Sequence, residues 1–178
     1  MSLVAEDDLV HVVTAARGGD RSAFAELYRR FHRAVHGVVL ARVAFGDAAD
    51  LVQDVFAIAL ERLPELTEAS AFGSWLLAIA RHHAIDHVRL ARPSDELVDV
   101  PAPVTRSAEV AQVLGVLREL PEAYRETMIL RLVEGMTGPE IAEQTGLSAG
   151  SVRVNLHRGM KLLRERLGMT AKEKSDVG

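Results

Sequence analysis

The side chains best placed to do chemistry lie between Ser148 and Lys161. There Arg153, His157, Arg158 and Lys161 recur at helical spacing, with Ser148, Ser151, Val154 and Asn155 among them. Arginine can grip guanine through two parallel hydrogen bonds, lysine offers phosphate a point charge, and a small apolar residue such as Val154 can touch a thymine methyl. On a helix, Val152, Leu156, Gly159, Leu163 and Leu167 share one stripe, while Arg153, Val154, His157, Arg158, Lys161 and Arg164 point the other way. A helix packed on one side and basic on the other suits a major groove. The competing reading is a surface helix whose cations only favour its C-terminal dipole.

The residues just upstream explain how such a helix would be held. Thr137 and Glu140 have capping-box spacing, and Pro139 falls in the first turn, where proline is tolerated. Ile141 and Ala142 supply a buried side, and Gly146 stops this short helix. Ser148 then caps the next one, with Ser151 three residues on. The segment 136–167 therefore reads as a helix-turn-helix whose second helix is basic.

Composition limits what such a helix could serve. The chain has 178 residues, 48% of them hydrophobic, so one domain or two small packed ones are expected. Without Cys there is no disulfide or thiolate metal site, and a reducing compartment is expected. No apolar run approaches the length of a membrane span, and MSLVAEDDLV is acidic where a signal peptide is basic. A soluble, cytoplasmic protein without membrane insertion is the expectation.

The net charge of −4 is unusual for a DNA binder. Cations cluster at Arg153, Arg158, Lys161, Arg164 and Arg166. Before them, Glu109, Glu119, Glu122, Glu126, Glu134, Glu140 and Glu143 outnumber Arg118, Arg125 and Arg131. Nonspecific affinity grows with the number of phosphates neutralised. A few clustered cations on an acidic body hold DNA poorly alone, which suits a protein that meets DNA as part of a larger machine.

The rest of the chain reads as helices, with no alternating strand pattern. Helices are expected over about 6–17, ending at Gly18-Gly19, then from an Asp20 cap to about Val43. A third should run from an Asp47 cap to Leu63, where Pro64 interrupts, and a fourth from a Ser70 cap to about Ala91. The stretch RPSDELVDVPAPVTR (92–106) has three prolines and no periodicity, hence a linker spanning roughly 50 Å when extended.

Other chemistry is weakly supported. His83 and His87 stand at i, i+4 beside His82 and Asp86, a spacing that can place two imidazoles on one metal, but no HExxH pattern supplies a third ligand. No nucleophile elbow and no GxxxxGK[ST] loop occurs. Neither catalysis nor a cofactor is expected.

The run LPEAYRETMILRLVEGMTGPEIAEQTGLSAGSVRVNLHRGMKLLRERL from Leu120 resembles the C-terminal DNA-binding domain of bacterial RNA polymerase sigma factors. The small, two-domain extracytoplasmic-function (ECF) group is the nearest match. The first half agrees, so the resemblance covers about Asp8–Leu167 apart from the linker. ADLVQDVFAIALERL is similar to the sigma segment that docks on the clamp helices of the polymerase largest subunit. The resemblance implies Asp50, Gln53, Asp54, Ala57 and Glu61 as polymerase contacts. These residues form an acidic stripe opposite Val52, Val55, Phe56, Ala59 and Leu63, and by themselves read equally as a solvated face. Complementary charge would speed and orient docking on a basic partner.

AFGSWLLAIARHHAIDHVRLA resembles the sigma helix that recognises and opens the minus-ten element. The resemblance implies DNA contacts at Arg81, His82, Ile85, Asp86 and Arg89. Asp86 falls on the inward side, where an internal ion pair competes with a DNA role. Trp75 could stack on an unpaired base but also falls inward, which favours core. The family often has Asn where His82 stands and further basic residues around Ile85 and His87, which implies feebler strand opening here. The loop Leu66, Thr67, Glu68 and Ala69 matches the one that receives a base flipped from the nontemplate strand. In the recognition helix, Val154 and Asn155 replace polar and basic residues often found there, so fewer bases would be read by hydrogen bond.

The resulting expectation is an all-α chain of two small helical domains. Residues 1–92 would dock on core RNA polymerase and melt the minus-ten element, 93–106 would link, 107–168 would hold the minus-thirty-five element of promoter DNA, and 169–178 would be a tail. The protein would act in transcription initiation and would not be an enzyme. The resemblance also implies an anti-sigma partner. The alternatives are a helix-turn-helix regulator that acts without polymerase and a helical adaptor that binds an acidic protein.

Overall fold

The computed structural model describes residues 3–90 and 107–168. The expected linker, Arg92 and the tail fall outside the described residues. Eight α-helices occur among those described: α1 Leu3–Arg17, α2 Arg21–Leu40, α3 Ala48–Arg62, α4 Phe72–Leu90, α5 Ser107–Arg118, α6 Glu122–Leu132, α7 Gly138–Thr145 and α8 Ala149–Arg166. Short 3-10 turns at Phe45–Asp47, Leu63–Glu65 and Ala69–Ala71 complete the layout, and no strand occurs among the described residues.

Helix α2 begins where Asp20 accepts hydrogen bonds from the Ser22 hydroxyl at 2.6 Å and from the Ser22 and Ala23 N–H groups at 2.8 and 3.2 Å. Those donors, the Ser22 hydroxyl first, hold the Asp20 carboxyl below its ordinary value. The helix ends at Leu40 rather than Val43 because the Arg42 N–H turns back to the Val39 carbonyl at 2.9 Å, a tightened last turn.

The other two caps expected in the first half are absent. Asp47 makes no side-chain cap bond, and its carboxylate lies 3.5 Å from His87 Nε2 on α4. Ser70 sits inside the Ala69–Ala71 turn, and its hydroxyl donates to Glu68 Oε1 at 3.0 Å.

Helix α2 packs against α1, α3 and α4. Its stripe of Leu27, Phe31, Val35 and Val38 is buried with Val52, Val55, Phe72, Leu76, Leu77 and Ala80. Phe31 meets Phe72 edge-on at 5.2 Å between centroids, an arrangement favoured by the ring quadrupoles. In the second half, α6 packs against α8, α5 against α6, and α7 against α8. Gly159 permits the α6–α8 approach, since a Cβ there would stand 2.5 Å from Met128 Cγ.

Candidate nucleic-acid interface

The local geometry that presents α8 follows the expected capping closely. The Thr137 N–H donates to Glu140 Oε2 at 2.6 Å, and the Glu140 N–H returns to Thr137 Oγ1 at 3.4 Å, closing the capping box. The Thr137 backbone bond, then its hydroxyl, keeps the Glu140 carboxyl below its ordinary value. Gly146 adopts φ of 75°, a left-handed conformation that ends α7 without the penalty a side chain would bring. The Ser151 N–H then donates to Ser148 Oγ at 3.1 Å, starting α8.

On α8, Val152, Gly159 and Leu163 are buried, and Leu156 and Leu167 half-buried. Arg153, Val154, His157, Arg158 and Lys161 are exposed, as are Ser148 and Ser151 at its start. Among the described residues, Arg153, Arg158 and Lys161 form no ion pair, so three cations stand free on one face. Asn155, expected among the DNA contacts, is placed differently from its neighbours on this face. It is half-buried, with Nδ2 donating to Thr127 Oγ1 at 3.4 Å, because Thr127 is a buried polar group on α6 that needs a partner.

Helix α3 carries Asp50, Gln53, Asp54, Ala57 and Glu61 on its exposed face. Asp54 Oδ2 also lies 3.3 Å from His83 Nε2 on α4. Leu60 extends this face and is 52% exposed, a residue that sequence reasoning missed. Its position three residues after Ala57 was the available signal.

Helix α4 departs further from expectation. His82, Ile85, Asp86 and Arg89 are exposed, so Asp86 faces outward, not inward as its position on an ideal wheel suggested. Arg81 is half-buried instead, with Nε donating to both Glu126 oxygens at 3.1 and 3.0 Å. His83 and His87 each face a different aspartate, Asp54 and Asp47. Trp75 is half-buried, its ring 5.8 Å from that of Phe72.

The loop before α4 divides by burial. Leu66 and Ala69 are buried, leaving Thr67 and Glu68 as its exposed side chains. Arg17 of α1 pins it, donating to the Leu66 carbonyl at 2.8 Å.

Fold and surface together define an all-helical arrangement among the described residues, with a helix-turn-helix whose second helix carries exposed cations on its open face. Residues 27–93 match sigma-70 region 2 and residues 110–163 match sigma-70, region 4. The RNA polymerase sigma factor CarQ of Myxococcus xanthus is 31% identical over 85% of this chain and 93% of its own length. The ECF RNA polymerase sigma factor SigM of Mycobacterium tuberculosis is 29% identical over 88% and 83%. Among solved structures, CnrH, in complex with the cytosolic domain of CnrY, superposes with a TM-score of 0.63 at 26% identity, covering 90% of this chain and 97% of that one. This chain belongs to the ECF group of RNA polymerase sigma factors. It is a polymerase-binding protein that directs transcription initiation, and a regulator acting independently of polymerase is not favoured. No helix among the described residues is long and apolar enough to cross a membrane.

Proposed function

We propose that residues 1–92 dock on core polymerase through α3 and recognise and melt the minus-ten element through α4 and the loop before it. Residues 107–168 hold the minus-thirty-five element through α8, with 93–106 as the connecting linker and 169–178 as a tail. Polymerase performs the chemistry, and this chain, cytoplasmic and without catalytic residues of its own, supplies recognition.

The observation that carries this reading is the separation of charge on one small chain. The open face of α3 is acidic at Asp50, Asp54 and Glu61, and the open face of α8 is basic at Arg153, Arg158 and Lys161. An acidic face repels phosphate and attracts a basic protein, so the two faces serve different partners. On α8, Arg153 and Arg158 read base edges near the start and middle of the helix, Lys161 anchors a phosphate, and Val154 contacts a thymine methyl. On α4, the exposed His82, Ile85, Asp86 and Arg89, with Arg81 once released from Glu126, form the minus-ten surface. Thr67 and Glu68 face the captured base, with Leu66 and Ala69 holding the loop's shape from beneath. An anti-sigma protein that covers these faces is a further proposed partner. The occupied structure of the similar CnrH, which holds a cytosolic domain, supports it.

Run-off transcription on promoter fragments, with core polymerase and with or without this chain, tests the reading. Specific transcripts should depend on the chain. Asp50→Arg with Asp54→Arg should weaken core binding by on the order of several kcal/mol through like-charge contact, while exposed substitutions leave stability within about 0.5 kcal/mol. Unchanged core affinity in the folded double variant would remove α3 as the docking face.

A further inference from the structure

Contacts one turn apart on α8 seat it against α6. Gly159 brings its bare backbone close, since a Cβ there would stand 2.5 Å from Met128 Cγ and 3.4 Å from Tyr124 Cβ. One turn earlier, Asn155 Nδ2 donates to Thr127 Oγ1 at 3.4 Å. The glycine contact sets the distance between the helices. Having no side chain, it does not fix how α8 is turned about its own axis. Val152 and Leu163 are buried on the same side, but apolar burial has no preferred direction. A hydrogen bond does. Among the described residues, Asn155–Thr127 is the one side-chain hydrogen bond between α6 and α8.

Thr127 is an unusual residue for this seam. It is 2% exposed and is the one buried polar side chain among the described residues. Valine has the same shape, so packing alone gives no reason for the hydroxyl. A buried hydroxyl without a partner is costly, which makes the bond from Asn155 the condition for having threonine there. A single polar position in an apolar helix seam specifies how the helices register, at some cost in stability. Thr127 and Asn155 are placed to do this for α6 and α8.

Rotation matters because of where Asn155 stands. At 3.6 residues per turn it lies about 40° from the buried Gly159 on one side and about 60° from the exposed Arg158 on the other. It marks the border between the seated and open faces. With side chains a helix is about 10–12 Å across, so a turn of roughly 20° moves its outer atoms by about 2 Å. That exceeds what a bidentate arginine–guanine pair tolerates. We propose that Thr127 is a positioning residue for minus-thirty-five recognition. Through Asn155 it fixes the rotation of α8, and with it the base edges that Arg153 and Arg158 meet. The proposal rests on the reading of α8 as the minus-thirty-five helix. It also gives Asn155 a part in specificity without a base contact of its own, because its amide is engaged by α6.

Thr127→Val removes the hydroxyl and keeps the shape, whereas Thr127→Ser keeps the hydroxyl and loses a methyl. Holoenzymes carrying each variant would be titrated with promoter fragments bearing single base substitutions through the minus-thirty-five element, at two salt concentrations. The loss of base preference cannot exceed the worth of the bond, so Thr127→Val should lower it by roughly two- to tenfold. The slope of log affinity against log salt should not change, because phosphate contacts are kept. Thr127→Ser should retain the preference. Asn155→Ala should match Thr127→Val, and the double variant should lose no more than either alone. Wild-type preference in Thr127→Val overturns the proposal, and equal losses in Thr127→Val and Thr127→Ser assign the effect to packing and overturn it too. An Asn155→Ala loss at one base pair that adds to that of Thr127→Val would make Asn155 a direct base contact instead. Failure of the underlying reading looks different. Arg153→Ala and Arg158→Ala would then leave base preference untouched as well, whereas failure of the positioning role alone leaves their effects in place.

Discussion

Helices α4 and α8 are assigned the same kind of work, yet their charged residues live under different conditions. On α8 the cations Arg153, Arg158 and Lys161 stand exposed with no acidic partner among the described residues. On α4, Arg81 is held by Glu126, His83 faces Asp54 and His87 faces Asp47. One surface has its cations unpaired among the described residues, and the other is partly occupied by carboxylates of its own chain. A duplex reader can be left open, because clustered cations on an acidic body hold little DNA alone.

The largest expected effect breaks the comparison on the α8 side. Arg153→Ala and Arg158→Ala should each cost about 1–3 kcal/mol of promoter binding by holoenzyme and relax preference at one base pair of the minus-thirty-five element. Binding measured across base substitutions in that element checks this. If both variants keep wild-type preference, α8 presents another face to DNA.

A smaller effect concerns how firmly α8 is seated. Gly159→Ala drives a methyl toward the buried Met128, and overpacking typically costs about 1–3 kcal/mol, partly offset by about 1 kcal/mol of gained helix propensity. Urea unfolding should show the loss, and unchanged stability would mean that Met128 gives way to the added methyl.

Lys161→Ala sharpens the contrast between base reading and phosphate anchoring. It should weaken all promoter sequences alike and lower the slope of log affinity against log salt by about one. A change in base preference would move Lys161 into the groove.

The smallest effect concerns the platform beneath α8. The Glu140 carboxyl is held below its ordinary value of 4.5 by Thr137. Its stabilising contribution is therefore fully present above that value and lost as pH falls through the lower, folded one. Exposure keeps it well under about 1 kcal/mol. The stability difference between wild type and Glu140→Gln should shrink on acidification below pH 4.5, and a constant difference would mean that the ionised carboxylate contributes nothing.

What the residues announced by themselves were the features closed within a few positions of chain. The Thr137–Glu140 capping box, the Gly146 stop, the Ser148 cap and the stripes of α3 and α8 all depend on neighbours three or four residues away, which helical geometry places at a known distance. The same locality explains the expectations that failed. Asp47 has the right type for a cap, but its carboxylate lies beside His87, far along the chain, while the Ser70 hydroxyl is taken locally by Glu68, two residues back in a turn. Asn155 was expected among the DNA contacts, but it is half-buried and bonded to Thr127, 28 positions away. Arg81 was expected on an open face, and only the packing of α2 on α6 places it beside Glu126, 45 positions on. Amphipathic periodicity says which face of a helix is apolar but not which other helix covers it. The acidic and basic surfaces were therefore legible in the sequence, while the contact that withdraws part of one from use was decided by tertiary packing.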